Sequence, residues 1–100
     1  MEEIQLSLDE RQHGAFIIEE GQERVAEMVI AIRGGNLIVY HTEVSDKLKG
    51  QGVASKLLAE MVKYAREYKL KVVPLCPYVS VQFNRHPEQY ADIWDRNWHK

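Results

Sequence analysis

The segment from Val44 to Lys56 constrains the fold most, because it joins a strand-like run to the only long amphipathic pattern in the chain. Gly50 and Gly52 lie at the junction. A strand that enters a helix through a G-x-G turn gathers unpaired backbone N–H groups at the positive end of the helix dipole, where a phosphate binds well. A side chain at either glycine would hold phosphate off the backbone, and a left-handed φ would be costly for any residue with a Cβ. The sequence therefore predicts an anion-binding turn that leads into a packed helix.

Strand-like segments come before this turn. Alternation of apolar and polar residues over 4–8 predicts a half-buried strand at or near a sheet edge. Further β-patterned runs are found at residues 15–18, 24–33 and 37–44. The Gly34-Gly35 pair predicts a tight hairpin between the last two runs, because adjacent glycines accept the positive φ angles of hairpin turns. We therefore expect four antiparallel strands in a meander.

The chain after Gly52 changes to a helical pattern. An apolar stripe over residues 53–65 predicts an amphipathic helix of about five turns that packs on the sheet. The stripe consists of Val53, Leu57, Leu58, Met61, Val62 and Ala65. A fifth strand is expected at residues 70–75, parallel to the fourth because the helix forms a crossover. Short helices are expected over 78–85 and from Pro87 to about Trp94, with a frayed end from 95 to 100.

The predicted element order is ββββαβαα, an α+β fold in which a mostly antiparallel, mixed sheet is packed with helices. The chain of 100 residues has the size of one domain, which we place at residues 1–100. Its 45% hydrophobic and 28% charged residues are typical of a globular protein. The formal net charge of −2 lacks the basic excess of a nucleic-acid-binding protein. We expect a monomer that binds neither membranes nor nucleic acid.

Location and metal content are constrained by what the sequence lacks. No apolar run approaches the roughly twenty residues of a spanning helix, and the acidic start lacks the features of a signal peptide. The single cysteine, Cys76, fits a reducing compartment, so we expect a cytoplasmic protein. The possible ligands His13, His41, His86, His99 and Cys76 show no metal-site spacing such as H-x-x-x-H, so no metal is predicted.

Cys76 and His41 are candidates for catalysis. Cys76 follows the fifth predicted strand and His41 lies near the end of the fourth, so their side chains are expected to meet if the strands are neighbours. Histidine can activate a cysteine as a thiolate nucleophile, and it can also act as general base toward an ammonium group. The alternative is structural: Cys76 is a small buried residue, and His41 is a hydrogen-bonded histidine on the strand face of Leu37 and Val39.

The C-terminal part of the chain allows comparable alternatives. Tyr90, Trp94 and Trp98 recur every four residues, which favours a stripe that covers the core over a base-stacking surface. Arg85 and His86 either meet a phosphate or cap the helix that precedes them.

The glycine turn resembles the acetyl-CoA pyrophosphate loop of the GNAT acetyltransferase superfamily, written [RQ]-x-x-G-x-[GA]. Lys47-Leu48-Lys49-Gly50-Gln51-Gly52 matches this pattern except at the first place, where lysine departs from the usual Arg or Gln. The P-loop and Rossmann patterns are absent. Further segments extend the resemblance to the very small GNAT-like predicted acetyltransferases, over most of the chain from His41 to Ile93. They are His41–Val44, Lys49–Ala54, Val73–Val79 and Arg85–Glu88.

The resemblance implies a reduced GNAT fold, acetyl-CoA or CoA as co-substrate, and a set of site residues. The loop residues would hold the pyrophosphate, and strand backbone near Thr42 and Val44 would hold the pantetheine arm. Tyr78 would protonate the departing thiolate, a role that tyrosine often has in the superfamily; the alternative is that Tyr78 is a packing residue. Cys76 would lie near the thioester sulfur with His41 as a possible base. The implied cofactor-binding residues are Thr42, Val44, Lys49, Gly50, Gln51, Gly52, Val53, Ala54, Tyr78 and Arg85.

We therefore expect an acetyl-CoA-dependent N-acetyltransferase that acts on an amine of an unknown acceptor. Two mechanisms are compatible with the sequence: transfer through an acetylated Cys76, or direct attack of the amine on acetyl-CoA. The competing hypothesis is a non-catalytic CoA- or acetyl-CoA-binding sensor or interaction module. A third hypothesis, an RNA- or protein-binding domain that uses Lys47, Lys49 and Lys56, fits the net charge poorly.

Overall fold

The computed structural model describes residues 3–98 and forms one mixed sheet covered by helices. Its strands follow each other in the order β1-β2-β3-β4-β5; the first four are antiparallel neighbours, and β5 lies parallel to β4. The elements are β1 Gln5–Leu8, β2 His13–Glu20, β3 Glu23–Arg33, β4 Asn36–Val44, α1 Val53–Glu67, β5 Lys71–Pro74, α2 Pro77–Arg85 and α3 Pro87–Tyr90. A 3₁₀ turn at Asp46–Leu48 comes before α1. The α+β class, the edge position of β1 and the parallel fifth strand are confirmed.

The core lies between the helices and one face of the sheet. Every residue of the predicted α1 stripe is buried there, together with Val79 and Phe83 of α2 and Tyr90 of α3. The sheet contributes Phe16, Ile18, Met28, Ile30, Leu37, Val39 and Val72, among others. Burial of such side chains is the main stabilising term for a domain of this size. No helix within residues 3–98 is long and apolar enough to cross a membrane.

Two helices are shorter than the sequence predicts. Helix α1 has 15 residues, about four turns rather than five. Helix α3 ends at Tyr90 rather than near Trp94, because the chain turns back to the free edge of β5. Trp94 forms a parallel bridge with Val72, and the Asp95 N–H donates to the Val72 carbonyl at 3.0 Å. This return satisfies backbone groups that an edge strand leaves unpaired. The expected fraying from residue 95 is therefore wrong at Asp95, which is hydrogen-bonded to β5. Residues 99 and 100 lie outside the described part.

A β-bulge at Tyr40 changes which residues of β4 face the helices. Val39 pairs with Ile30 and His41 pairs with Val29, so Tyr40 is the extra residue. Thr42 therefore lies on the helix-covered face with Val39, where it pairs across the strands with the buried Met28 of β3. The prediction that His41 shares a face with Leu37 and Val39 is wrong, because it assumed unbroken alternation. His41 lies on the other face of the sheet, which we call the open face.

Candidate functional site

Strand β4 has two halves with different neighbours. Residues 36–39, the paired half, lie between β3 and β5. Residues 40–44, the unpaired half, keep β3 on one side, whereas the pairing with β5 ends at Pro74. The last backbone link across the gap is the bond from the Cys76 N–H to the Val39 carbonyl, at 2.8 Å. Beyond it, no backbone bond to the β5 side is found for the unpaired half within residues 3–98.

A groove of about 270 Å³ adjoins this gap on the helix-covered side. It brings together the end of β4, the glycine turn, the start of α1 and the first turn of α2, and we call it the glycine groove. Its lining residues are Val44, Leu48, Lys49, Gly50, Gly52, Val53, Ala54, Ser55 and Tyr78. Leu48 and Ser55 were not among the predicted site residues. In the sequence, only an apolar residue inside a polar turn and a hydroxyl in the first turn of a helix could have indicated them.

The two glycines of the turn are required for their backbone angles. Gly50 has φ 83° and Gly52 has φ 68°, and a Cβ at either position would meet no atom within 4 Å. The left-handed conformation therefore favours glycine, and the space beside both residues is open. In the described part of the chain, no acceptor is found for the amides of Gly50, Gly52 and residues 53–55. Helix α1 also has no side-chain cap and no acidic residue in its first turn, so its positive end faces the groove without a counter-charge.

The two lysines of the turn differ in their surroundings. Lys49 is exposed and lines the groove. Lys47 Nζ lies 2.8 Å from Glu23 Oε1, and this hydrogen bond, helped by the glutamate charge, raises the pKa of Lys47 above its usual value. Lys47 therefore pairs with Glu23 of β3, whereas Lys49 keeps its charge beside the groove.

Cys76 lies at the floor of the gap, in contact with Thr42. Its Sγ is 3.3 Å from Thr42 Oγ1, and the residue is only 1% exposed. Neighbouring residues of a strand point to opposite faces, so His41 points away from this pair. The predicted approach of His41 to Cys76 is wrong, because the bulge puts Thr42 in the place expected for His41.

Tyr78 supplies a phenol at the edge of the groove. It is half-buried in the first turn of α2. Burial raises the pKa of Tyr78 above its usual value near 10.0, and the neighbouring Tyr90 and Cys76 raise it further. The hydroxyl therefore stays protonated at neutral pH and can donate a hydrogen bond or a proton.

His41 belongs to a charged cluster on the open face. Its Nε2 lies 3.6 Å from Glu27 Oε2 and 3.8 Å from Glu43 Oε1, and Arg24 Nη1 lies 3.1 Å from Glu27 Oε1. The side chains of Glu27, His41 and Glu43 each offer one nitrogen or oxygen atom that could bind a metal ion, and these atoms are all within 4.8 Å of one another. Chain spacing gave no sign of this cluster, because Glu27 is on β3 and meets the others only through strand pairing. That the chain holds no metal stays a prediction.

Two hollows lie beside the cluster. One, of about 220 Å³, lies at the ends of β3 and β4, where it is lined by Glu27 and Glu43 of the open face and also by Ala26 and Val44 of the other face. The other, of about 560 Å³, runs from Glu27 toward Asp9 and His13. Glu27 lines both hollows. The open face therefore offers space for a second molecule, on the side of the sheet opposite the glycine groove.

The remaining predicted residues lie outside the groove. Gln51 is exposed, and its N–H donates to the Leu48 carbonyl at 3.2 Å. Arg85 is exposed in the last turn of α2, two turns beyond Tyr78. Tyr90 and Trp94 pack on the Phe83 ring with centroids 4.4 and 5.5 Å away, which confirms that these two residues cover the core. They do so without sharing a helix, since α3 ends at Tyr90.

Comparison with known proteins agrees with this architecture. A family model described as GCN5-related N-acetyl-transferase matches residues 15–93. The NMR solution structure of a GCN5-like candidate N-acetyltransferase from Staphylococcus aureus superposes with a TM-score of 0.68 at 28% identity, over 99% of this chain and 98% of that one. No significant match was found among curated protein sequences.

The crystal structure of a ribosomal-protein-alanine N-acetyltransferase from Brucella melitensis biovar Abortus 2308 has a TM-score of 0.62 at 19% identity. The alignment covers 91% of this chain and 68% of that one, and at this identity it shows the fold alone. The family match, in contrast, spans most of the chain and includes the glycine groove and β4. The chain belongs to the family of GCN5-related N-acetyltransferases.

Proposed function

We propose that this protein binds acetyl-CoA in the glycine groove and transfers the acetyl group to a primary amine of an acceptor. One observation carries the proposal: the free amides of the glycine turn, the positive end of α1, the unpaired half of β4 and the Tyr78 hydroxyl converge on one groove. A diphosphate needs the first two features, and an extended amide-containing arm needs a free strand edge.

The groove residues fit the parts of acetyl-CoA in order. The amides of Gly50, Gly52 and residues 53–55, with the Lys49 ammonium, would hold the diphosphate. The strand edge at Thr42 and Val44 would pair with the pantetheine amides. The exposed side chains of Gln51 and Arg85 stay predicted contacts of the nucleotide end of the molecule.

The two sheet faces divide the proposed reaction. His41, on the open face, takes a proton from the acceptor ammonium, and the neutral amine then attacks the thioester carbonyl through the gap beside β4. A C–N bond forms, the attacking nitrogen becomes positively charged and releases its second proton to solvent, and the C–S bond breaks. Tyr78 donates its proton to the departing CoA thiolate and is reprotonated from solvent.

Direct transfer is the mechanism that the contacts favour. Cys76 is buried, its contact in the structure is with Thr42, and it lies away from His41, so it lacks the neighbouring base that an acyl-accepting thiol uses. The route through an acetylated Cys76 predicts a trapped acetyl-enzyme and no turnover by Cys76→Ala. Direct transfer predicts that Cys76→Ala keeps at least about a third of the wild-type kcat, because no bond to sulfur is made.

Calorimetric titration with acetyl-CoA and CoA tests the binding site. Gly52→Glu should abolish binding by placing a carboxylate in the open space where the diphosphate is expected. Gly21→Glu is a matched control, since Gly21 has φ 64°, meets nothing within 4 Å and lies in the β2–β3 turn. The control carries the same backbone strain and should bind like the wild type. Absence of binding by the wild type would overturn the proposal.

The second candidate is a non-catalytic acetyl-CoA-binding module. The separation of His41 from the Cys76–Thr42 pair is the observation that favours it, because the two residues suggested for catalysis do not act on each other. Tight acetyl-CoA binding without transfer to polyamines, lysine peptides or free peptide amino termini would support this alternative. A cytoplasmic, monomeric protein is part of the proposal in either case.

A further inference from the structure

We propose that Glu27 is a positioning residue for His41 in the acetyl transfer, because its charge stabilises the imidazolium that forms when His41 takes the acceptor proton. This inference rests on the proposed function and extends it to β3, where no site residue was predicted.

The surroundings of Glu27 hold its carboxylate in place. The residue lies on β3 between β2 and β4, and its side chain is only 24% exposed. Arg24 occupies Oε1 at 3.1 Å, which leaves Oε2 directed to His41 Nε2 at 3.6 Å. The side chain of Glu43, in contrast, is 77% exposed and lies 3.8 Å from the ring. An exposed charge is screened more by water and salt, so Glu27 is the stronger partner.

Strand pairing puts these two acids directly opposite each other. Glu27 pairs with Glu43 across β3 and β4, an arrangement of like charges that destabilises a sheet. A positive charge beside both carboxylates relieves the repulsion. The His41 ring is placed to carry such a charge, since its Nε2 is near an oxygen of each acid. A positive charge that forms on the His41 ring during the reaction would therefore lie beside both carboxylates.

The effect of Glu27 is expected mainly during proton transfer. A separation of 3.6 Å is too long for a hydrogen bond, so in the described structure Glu27 acts on His41 through its charge. One proton moves from the acceptor ammonium to the His41 ring and later to solvent. The attraction to the carboxylate appears when the ring becomes positive, and an interaction that grows along the reaction raises kcat rather than acetyl-CoA affinity.

The two hollows would give an acceptor two routes to Glu27. Glu27 lines both of them, so an amine that enters from the side of Asp9 and His13 or from the side of Ser45 would meet Glu27, next to His41. The charged groups that face His41 from the packed strands within residues 3–98 are Glu27 with its partner Arg24 on β3 and Glu43 on β4.

A double-mutant cycle separates positioning from a general structural effect. Acetyl transfer to spermidine, a lysine-containing peptide and a free peptide amino terminus is measured for wild type, Glu27→Gln, His41→Ala and the double variant. His41→Ala should lower kcat about 100-fold, the lower range for loss of a general base. Glu27→Gln should lower kcat about tenfold with an unchanged Kd for acetyl-CoA, and the double variant should match His41→Ala alone. Glu43→Gln should lower kcat about two- to threefold, as expected for a more exposed charge.

The conservative variant Glu27→Asp keeps the charge and should retain several-fold more activity than Glu27→Gln, provided that both bind acetyl-CoA like the wild type. A tenfold loss from Glu27→Gln that persists in the His41→Ala background would overturn the inference, because Glu27 would then act independently of His41. Full activity of Glu27→Gln beside an impaired His41→Ala would overturn it while the proposed function stands. A wild type that binds acetyl-CoA and acetylates none of the amines would overturn the proposed transfer itself, and this inference with it.

Discussion

The two halves of β4 both pair with β3 on one side, but on the other side only the first half pairs with β5. In the paired half, residues 36–39 are hydrogen-bonded to β3 and β5, and Leu37 and Val39 are fully buried. In the unpaired half, residues 40–44 carry the bulge, the Thr42–Cys76 contact and His41. One strand can therefore be a core element along half its length and leave a free edge along the rest, when its neighbour ends early. Pro74 and Pro77 cause that early end, because proline lacks the N–H that continues a ladder.

The largest expected effect separates stability from binding along this strand. Leu37→Ala should lower the free energy of unfolding by about 2–5 kcal/mol, the range for deleting a buried leucine side chain. Val44→Ala removes a half-buried side chain and should cost less than about 1.5 kcal/mol, yet weaken acetyl-CoA binding because Val44 lines the glycine groove. Urea unfolding and calorimetry of both variants provide the check. Equal loss of stability at the two positions would contradict the division of β4.

Deletion of Tyr40 tests whether the bulge opens the gap. Without this residue, Val39 and His41 become neighbours, and the strand regains regular alternation with His41 still on the open face and Thr42 on the helix-covered face. Since a bulge bends its strand, we expect a straighter β4, a narrower gap and an acetyl-CoA Kd at least about tenfold higher, or about 1.4 kcal/mol. The far-ultraviolet circular dichroism spectrum should stay that of the wild type. Unchanged affinity in a folded variant would show that the gap does not depend on the bulge.

The Thr42–Cys76 contact should contribute a smaller amount. Thr42→Val keeps the shape of the side chain and removes the hydroxyl that lies 3.3 Å from Cys76 Sγ. We expect a loss of about 1 kcal/mol in unfolding free energy, the net value of one hydrogen bond. Thr42→Ser, which keeps the hydroxyl, is the matched control. If Thr42→Val costs the same in a Cys76→Ala background, the contact with sulfur is not the cause.

The smallest effect concerns the side of the molecule away from the gap. Asp92 accepts hydrogen bonds from Arg66, which lower the pKa of its carboxyl below 3.8, and the charges of Arg66 and Lys71 act in the same direction. Its contribution to stability is therefore present above pH 3.8 and is lost as the pH falls through the lower folded-state value. Asp92→Asn should be slightly less stable than wild type at pH 7, and the difference should shrink as the pH falls below 3.8 toward the lower folded-state pKa, as measured by urea unfolding. A difference that does not change with pH would assign the effect to something other than the charge.

Local sequence patterns determined the framework of this protein. The meander and its helix were predicted from three local features: alternation over the strands, the Gly34-Gly35 hairpin and the stripe from Val53 to Ala65. These features are local because the spacing of apolar residues alone shows which face of a strand or helix is buried. The G-x-G turn predicted an anion-binding site, again from local features. Left-handed φ angles and free amides are properties of a few consecutive residues, and both glycines have left-handed φ angles in the structure.

Only the tertiary structure decided which side chains meet. A single bulge at Tyr40 moved His41 to the open face and Thr42 to Cys76, because side-chain direction in a strand inverts with every residue that is inserted. Glu27 reached His41 through strand pairing, and α3 ended early because Trp94 and Asp95 turned to the free edge of β5. Such contacts join residues distant in sequence, and they depend on register and on edges left unpaired. Register and free edges are fixed only when the whole sheet assembles. Local patterns therefore predicted the elements and the glycine turn, whereas the neighbours of each side chain in the candidate site depend on packing.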